Sequence, residues 1–180
     1  MCFTKSMTRP FDLGSPAFST AGGLLQLLRD GHPRTRAELA TLTGLSRPTV
    51  AQRIDQLLEL GLIAPVEAAV STGGRPSSQI AFNPRARGVI AADLGALHAR
   101  IALTDLDGRL LAELSESRDI ADGPDSAIEW ILRSSQQLLA QTGIPVANVA
   151  GIGMGVPGPV EFSTGPPINP PIMPGWDRYD

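Results

Sequence analysis

Apolar residues recur at helical spacing in two short segments between residues 35 and 61, which predicts a pair of helices. Thr35 and Glu38 have the spacing of a capping box, in which each side chain accepts a hydrogen bond from a backbone N–H at the start of the first helix. Gly44 lies where a tight turn between the helices needs a residue without a Cβ. Ser46 can cap the second helix. The buried side of that helix is predicted to comprise Val50, Ile54, Leu57 and Leu58.

The small residue Ala40, the glycine Gly44 and the apolar Val50 have the spacing of a helix-turn-helix. With the apolar side turned inward, polar side chains that suit phosphates and base edges in the major groove face outward. These outward residues are Arg47, Thr49, Gln52, Arg53 and Gln56. Ser46 is predicted to contact DNA together with Arg47, Thr49, Gln52 and Arg53. The alternative is an ordinary helical hairpin with a polar outer side.

A helix over residues 18–30 and two strands, over residues 62–67 and 79–83, flank this pair. The segment STGGRPS between the strands contains two glycines that permit positive φ angles, so it is predicted to be the tip of a β-hairpin. Three helices followed by such a hairpin make a winged helix, in which Arg75 would contact the minor groove or the phosphate backbone. The alternative for this segment is a glycine-rich loop with a solvated arginine.

Residues 89–156 follow a different pattern, in which three short strands precede one long helix and a further strand. The strands are predicted over residues 89–93, 98–105, 110–116 and 149–156. The helix begins at Pro124 and ends at Gly143. Its buried residues are predicted to be Ile128, Ile131, Leu132, Ser135, Leu138 and Leu139. The predicted fold class is therefore α/β: a winged helix-turn-helix followed by a lobe of the ribonuclease-H-like kind.

The end of the chain is rich in proline, with five prolines in residues 164–175. Trp176 follows with little chain after it, so it is expected to lack packing partners. A sheet with a single crossover helix also leaves an apolar face uncovered. Together these features predict a chain truncated within its second domain; the alternative is an isolated lobe that a partner covers. The predicted organisation is a flexible arm over 1–14, a DNA-binding domain over 15–83, a linker over 84–88 and a partial second domain over 89–180.

Charge separates the two halves of the chain. Residues 29–87 carry a net charge of +3 and residues 88–180 a net charge of −7, within a total of −3. A basic module joined to an acidic one fits nucleic-acid binding in the first half and another role in the second. Nearly all the positive charge is arginine, which suits bidentate contacts to guanine and phosphate, although GC-rich coding would produce the same bias.

The single cysteine, Cys2, excludes an internal disulfide, which fits a reducing cytoplasm. No stretch approaches the roughly 20 apolar residues of a membrane span, and the N-terminus lacks the apolar core of a signal peptide. His32 and His98 are isolated in the sequence and have no metal-ligand spacing. We therefore expect a cytoplasmic protein with no membrane partner, metal or cofactor.

Three segments together resemble transcriptional regulators of the ROK family (repressors, open reading frames and sugar kinases): GLSRPTVAQRIDQLLELGLI, STGGRPSSQIAFN and GIGMGVPGPVEFSTGPPINPPIMPGW. The first segment is common to many winged-helix regulators, and the other two are more specific. The resemblance implies an N-terminal winged helix that binds operator DNA. It also implies a C-terminal actin-like domain that senses a sugar or sugar phosphate, in a homo-oligomer (a dimer or tetramer). In the family the loops that border the sugar cleft correspond here to Gly155, Pro157, Gly158 and Asn169.

The kinase branch of this family begins its second domain with Asp-x-Gly-Gly-Thr, whose glycine turn and threonine hold ATP phosphates. Here Asp93 and Gly95 match, but Ala96 and Leu97 replace the second glycine and the threonine. Leu97 has no hydroxyl, and the family's catalytic aspartate and zinc-binding cysteines would lie beyond Asp180, so we expect no enzyme activity. The alternatives are a sugar kinase with an added DNA-binding module and a DNA-binding fragment without ligand function.

Overall fold

The chain forms two compact units that divide between Asn83 and Pro84. The computed structural model describes residues 20–66, 78–161 and 164–179. The predicted flexible arm and the predicted hairpin tip with Arg75 lie outside the described residues. No helix within the described ranges is both long enough and apolar enough to cross a membrane.

Within residues 20–66 the helices are α1 (Ala21–Leu28), α2 (Arg36–Thr43) and α3 (Arg47–Glu59). The predicted capping box of α2 is confirmed: the Thr35 hydroxyl accepts from the Glu38 N–H at 3.2 Å, and the Glu38 carboxylate accepts from the Thr35 N–H at 2.7 Å. Gly44 has a φ of +68°, the left-handed conformation that favours glycine at a helix end. The predicted cap of α3 is also confirmed, because the Ser46 hydroxyl accepts from the Thr49 N–H.

An apolar core joins these helices to two strands. It comprises Leu24, Leu27, Leu28, Leu39, Val50, Ile54, Leu57, Ile63 and Ile80. The buried side predicted for α3 is confirmed for Val50, Ile54 and Leu57, while Leu58 packs at the edge of the core and is half-buried. Because these residues share one side of α3, the other side is left for solvent or DNA.

The strands of the first unit are β1 (Ile63–Val66) and β2 (Gln79–Phe82), which pair antiparallel as predicted. A third strand of one residue, which the sequence pattern did not indicate, joins them: Arg34 pairs with Ile80 through backbone hydrogen bonds of 2.9 and 2.8 Å. The backbone N–H and C=O of Ile80 both bond to Arg34, so Ile80 makes no backbone hydrogen bond to Pro65, which lies opposite it on β1. Proline is tolerated at this position because its missing N–H is not required there. Three helices and this small sheet are the architecture of a winged helix-turn-helix.

The described residues of the second unit form a four-stranded sheet and a long helix. The strands are β3 (Gly88–Leu94), β4 (Ala99–Asp105), β5 (Leu110–Glu116) and β6 (Val149–Gly155), and the helix is α4 (Pro124–Thr142). The strand order is β5-β4-β3-β6, with β6 parallel to β3 and the other neighbours antiparallel. This mixed sheet with its crossover helix fits the predicted partial lobe. Residues 84–88, which were predicted to be a linker, contain a short 3-10 helix at Pro84–Ala86 and the first residue of β3.

The buried side of α4 differs from the prediction. Helix α4 packs mainly on β4 and β5. The residues that it buries are Pro124, Ala127, Trp130, Ile131, Ser134, Ser135 and Leu138. Leu132, predicted to be buried, is 60% exposed, whereas Ile128 and Leu139 are half-buried at the edge of the core. Leu132 lies one turn after Ile128 on the surface of α4, and the position of the sheet decides which flank of that helix is covered.

The prediction that Trp176 lacks packing partners is wrong. Its side chain is 1% exposed and belongs to the core of the second unit together with Met173. The indole N–H donates to the Ile120 carbonyl at 3.4 Å. The indole is therefore enclosed by the chain itself, because the proline-rich segment returns to the lobe beside α4.

The sheet is less covered at β6. Ile152 and Met154 pair with Ile90 and Ala92 of β3, whose side chains are buried, yet they are 58% and 46% exposed. Because α4 packs mainly on β4 and β5, an apolar surface remains at this edge of the sheet. This agrees with the expectation for a sheet with a single crossover helix.

Candidate DNA interface and ligand cleft

The start of α3 is held by hydrogen bonds between Ser46 and Thr49. The Ser46 hydroxyl accepts from the Thr49 N–H at 3.3 Å, and the two hydroxyl oxygens are 2.8 Å apart, so either one can donate to the other. Both hydroxyls that were predicted to contact DNA are therefore engaged in the helix cap. A phosphate or a base would have to share them.

One side of α3 presents a stripe of polar side chains: Thr49, Gln52, Arg53 and Gln56. Residues three and four positions apart are neighbours on a helix surface, so these four share one side. Gln52 and Gln56 are exposed, and Thr49 and Arg53 are half-buried. The stripe combines amide, hydroxyl and guanidinium groups, which are the types that read base edges in the major groove. Arg47 is exposed but lies on another side of the helix.

Arg53 is less exposed than predicted. Its Nε is buried and has no hydrogen-bond partner among the described residues. The aliphatic part of the side chain and this first nitrogen therefore pack against protein, so only the terminal nitrogens can reach a base. A guanidinium held in this way has a restricted orientation, which favours a bidentate contact.

The flank of α3 that faces α2 carries an acid. Asp55 Oδ1 lies 3.2 Å from Nη2 of Arg36, the first residue of α2. Both side chains are exposed, and an exposed ion pair of this kind adds little to stability. Its effect is local, since Arg36 offsets the charge of Asp55 beside the polar stripe. The stripe itself contains no carboxylate that would repel phosphate.

Arg75, the remaining predicted DNA contact, lies outside the described residues. The structure places the two strands that lead toward it, β1 and β2. Its contact with DNA stays a prediction.

Two of the four residues that were predicted to border a ligand have structural roles. A Cβ on Gly158 would lie 2.9 Å from the Cβ of Pro170, so close packing requires glycine there. Asn169 has a φ of +42°, and its N–H donates to Asp177 Oδ1 at 2.8 Å. The structure thus brings Gly158 against the segment that contains Asn169. Pro157 is half-buried next to Gly158.

The fourth, Gly155, lies at the carboxyl end of β6, paired with Asp93 of the parallel strand β3. In the turn after β3, a Cβ on Gly95 would lie 2.0 Å from the imidazole of His98. That imidazole also lies 3.8 Å from Asp93 Oδ2. Leu97 in the same turn is 68% exposed. The turn that resembles the kinase phosphate loop is thus occupied by an imidazole, and His98, isolated in the sequence, has an acidic neighbour.

An apolar cleft of about 330 Å³, which the sequence pattern did not indicate, lies between α4, β6 and the C-terminal segment. Its lining includes Ile128, Met154, Val156, Val160, Pro167, Trp176 and Tyr179. The Tyr179 hydroxyl donates to Asp125 Oδ1 at 2.8 Å, which raises the pKa of Tyr179. The four predicted ligand residues do not line this cleft. Its walls come from segments that are far apart in the chain, and the sequence pattern does not indicate that these segments meet.

A metal centre is not formed in the part of the chain that the structure describes. There, no three His, Cys, Asp or Glu side chains lie close enough together to hold a metal ion.

Comparison with known sequences finds regulators of transcription. A profile of winged helix-turn-helix DNA-binding domains matches residues 23–64. The xylose repressor of Bacillus subtilis is 26% identical over 139 residues, which are 77% of this chain and 36% of that protein. The DNA-binding transcriptional dual regulator NagC of Escherichia coli is 33% identical over 93 residues, 52% of this chain and 23% of that protein. The match thus spans little more than a third of the length of the xylose repressor and less than a quarter of the length of NagC.

Comparison with solved structures finds the same architecture. The crystal structure of a ROK family transcriptional regulator, a homologue of the E. coli MLC protein, matches with a TM-score of 0.68. The match covers 88% of this chain and 40% of that chain. The two sequences are 19% identical, so this likeness concerns the fold.

Proposed function

Because the chain belongs to the ROK family of transcriptional regulators, we propose that it is a sequence-specific DNA-binding repressor of sugar-metabolism genes. The observation that carries the proposal is the polar stripe of α3, which a capped pair of helices presents without a carboxylate. The N-terminal half of α3 would enter the major groove, as the second helix does in helix-turn-helix proteins. The wing hairpin would contact the same duplex beside it.

The side chains of the stripe suit distinct roles. Gln52 can pair with an adenine edge through its amide, and the terminal nitrogens of Arg53 can pair with guanine. Ser46, Arg47 and Thr49 lie at the helix start, where backbone N–H groups and side chains contact phosphates. Arg75 on the wing would contact the minor groove or the backbone.

The second unit is proposed to respond to a sugar or sugar phosphate. The relative from Bacillus subtilis supports this part, because it is named a xylose repressor. Ligands of open α/β sheets bind outside the carboxyl ends of parallel strands, which here are the ends of β3 and β6. Gly155 ends β6, and Pro157, Gly158 and Asn169 come after it; all four would border that ligand.

Linkage between the two units would give regulation. If the sugar binds one arrangement of the protein more tightly, it shifts the population toward that arrangement and changes the affinity for DNA. A homo-oligomer would match two DNA half-sites with two winged helices. Because these functions need access to DNA, we also propose that the protein is cytoplasmic.

We propose no enzyme activity. A sugar kinase with an added DNA-binding module is the alternative, but the turn after β3 counts against it. Leu97 offers no hydroxyl to a phosphate, and the imidazole of His98 lies where a Cβ on Gly95 would be. The xylose repressor and NagC, to which the chain is similar, are named as a repressor and a regulator.

Selection from a random duplex library tests the proposal with the 180-residue chain. We expect one sequence to be enriched and bound at least about 10³-fold more tightly than a scrambled duplex at the same salt concentration. Failure to enrich any sequence over a protein-free control would contradict DNA recognition. Pentoses, hexoses, amino sugars and their phosphates are then added one at a time. A change in the affinity for DNA supports the proposal of a sugar effector. If none of these compounds changes the affinity for DNA, this chain does not respond to a sugar and that part of the proposal is wrong.

A further inference from the structure

Arg34 connects three parts of the first unit. It lies between α1 and α2, and its backbone forms the single-residue strand beside β2. Its N–H donates to the Ile80 carbonyl at 2.9 Å, and its carbonyl accepts from the Ile80 N–H at 2.8 Å. The connection between the helices is thus fastened to the hairpin at Ile80, whose side chain is buried in the core.

The guanidinium of Arg34 fastens the same connection to α1. Its Nη1 donates to the Leu27 carbonyl at 2.6 Å, to Asp30 Oδ1 at 2.8 Å and to the His32 carbonyl at 3.2 Å, and its Nη2 donates to Asp30 Oδ2. The Leu27 carbonyl belongs to the last turn of α1, where backbone acceptors have no partner within the helix. The bidentate contact lowers the pKa of Asp30 below its usual range. The side chain is 18% exposed, so this network encloses most of it.

The opposite end of the hairpin is held by other contacts. The Leu62 N–H donates to the Leu57 carbonyl of α3 at 3.0 Å, and the side-chain amide of Asn83 donates to the Gly61 carbonyl at 2.9 Å. These bonds secure the base of the hairpin, next to the end of α3. Ile80 instead pairs with Pro65, one position from the last described pair toward the tip. Arg34 therefore constrains the outer half of the hairpin as far as the structure describes it, which is the pair of Pro65 with Ile80 and the pair of Val66 with Gln79.

We propose that Arg34 is a positioning residue for DNA binding: it holds the outer half of the β1–β2 hairpin in the orientation in which hairpin and α3 contact one DNA site together. This inference rests on the DNA-binding function proposed above. Two elements that engage one duplex gain affinity when their relative position is set beforehand, because less ordering is needed on binding. Arg34 acts through the hairpin, since its own guanidinium is committed to Asp30 and two carbonyls.

Two substitutions of Arg34 separate geometry from charge. Arg34→Met keeps the aliphatic part of the side chain and removes the guanidinium. Arg34→Lys keeps the positive charge but cannot form the bidentate contact with Asp30. Asp30→Asn weakens the same contact and leaves the guanidinium in place. Arg100→Met, at an exposed position on β4, is the matched control for loss of one arginine.

The 180-residue chain and its variants are compared on the duplex obtained by selection, at a temperature where thermal denaturation shows every variant to be folded. Affinity and the hydroxyl-radical footprint are measured. Arg34→Met and Arg34→Lys should both lose about tenfold in affinity, the order that weaker preorganisation costs. Both should also lose protection of the DNA flank beside the hairpin, while the protection made by α3 persists. Asp30→Asn should show the same change in footprint to a smaller degree, and Arg100→Met should match the parent.

Other outcomes would overturn the inference. Recovery of affinity by Arg34→Lys would indicate a direct phosphate contact, which a lysine also makes. An unchanged footprint in folded Arg34 variants would leave Arg34 with a role in stability alone. If Arg34→Met does not fold, the footprint of Asp30→Asn tests the proposal: weaker protection of the DNA flank beside the hairpin supports it, and unchanged protection contradicts it. A parent that selects no duplex would overturn the proposed function together with this inference, whereas a binding parent with variants of unchanged footprint overturns only the inference.

Discussion

The Ser46 hydroxyl accepts a hydrogen bond from the Thr49 N–H at 3.3 Å and lies 2.8 Å from the Thr49 hydroxyl. This contact satisfies one of the backbone donors that the first turn of α3 leaves unpaired. The same helix end is the part proposed to enter the major groove. Folding of the first unit and its approach to DNA therefore depend on one local arrangement.

Removal of this cap should destabilise the first unit. Ser46→Ala should lower its free energy of unfolding by about 1 kcal/mol, because a backbone donor loses its partner. Ser46→Asp keeps an acceptor and should retain most of that stability. Urea denaturation followed by circular dichroism measures the difference, with exposed Ser117→Ala as the control. Equal stability of Ser46→Ala and Ser117→Ala would show that the cap is dispensable.

The wing arginine should contribute to DNA affinity through charge. Arg75→Ala should weaken binding to all sequences and lower the slope of log affinity against log salt by about 1 for each phosphate that the protein no longer neutralises. Titrations at several salt concentrations measure this slope, with exposed Arg109→Ala as the control. An unchanged slope would remove Arg75 from the phosphate interface. A change confined to the preference for A·T-rich flanks would instead indicate reading of minor-groove shape.

The turn after β3 should not support phosphoryl transfer. Leu97 is exposed but has no hydroxyl, and the His98 ring lies over Gly95. Incubation with ATP and a panel of hexoses and amino sugars should give no turnover above a protein-free control. Leu97→Thr should also be inactive, since the imidazole still occupies the turn. ATP turnover by the parent would contradict this and support the kinase alternative.

The apolar surface at β6 should be detectable in solution. Ile152 and Met154 are about half exposed, and β6 contains neither a charge nor a proline, whereas β5 at the other edge carries Glu113 and Glu116. An uncharged edge strand pairs readily with other chains. The 180-residue chain should therefore self-associate in analytical ultracentrifugation or bind a hydrophobic dye, and Ile152→Lys should reduce both signals.

Val146→Lys, at a position outside the sheet, is the control for that experiment, because Val146 is also exposed. A monodisperse parent that binds no dye would show that the lobe needs no further cover.

Local signals were enough to predict the helix pair. The helix caps and the turn depend on contacts between residues only a few positions apart, so spacing alone predicts them. The residues concerned are Thr35, Glu38, Gly44 and Ser46. The strand pairing of the hairpin followed in the same way. The single-residue strand at Arg34 could not be predicted, because one residue has no periodicity.

Contacts between distant segments were harder to predict. The apolar pattern of α4 is wide enough to include Leu132, and the position of the sheet leaves Leu132 outside the core. Burial of Trp176 depends on the return of a proline-rich segment to Ile120, more than 50 positions earlier. The proximity of His98 to Asp93 depends on the tightness of a turn.

The most direct test of base recognition by α3 is the base preference of the Gln52→Ala and Arg53→Ala variants. It is measured as their affinity for the selected duplex and for duplexes that differ from it at one base pair. Gln136→Ala and Arg133→Ala are the matched controls, since both positions are exposed on α4. Each α3 variant should fold normally by circular dichroism and lose roughly 1–3 kcal/mol of discrimination at one base position, while the controls keep the parent's profile. Unchanged affinity and unchanged base preference in both folded α3 variants would contradict DNA recognition by this helix.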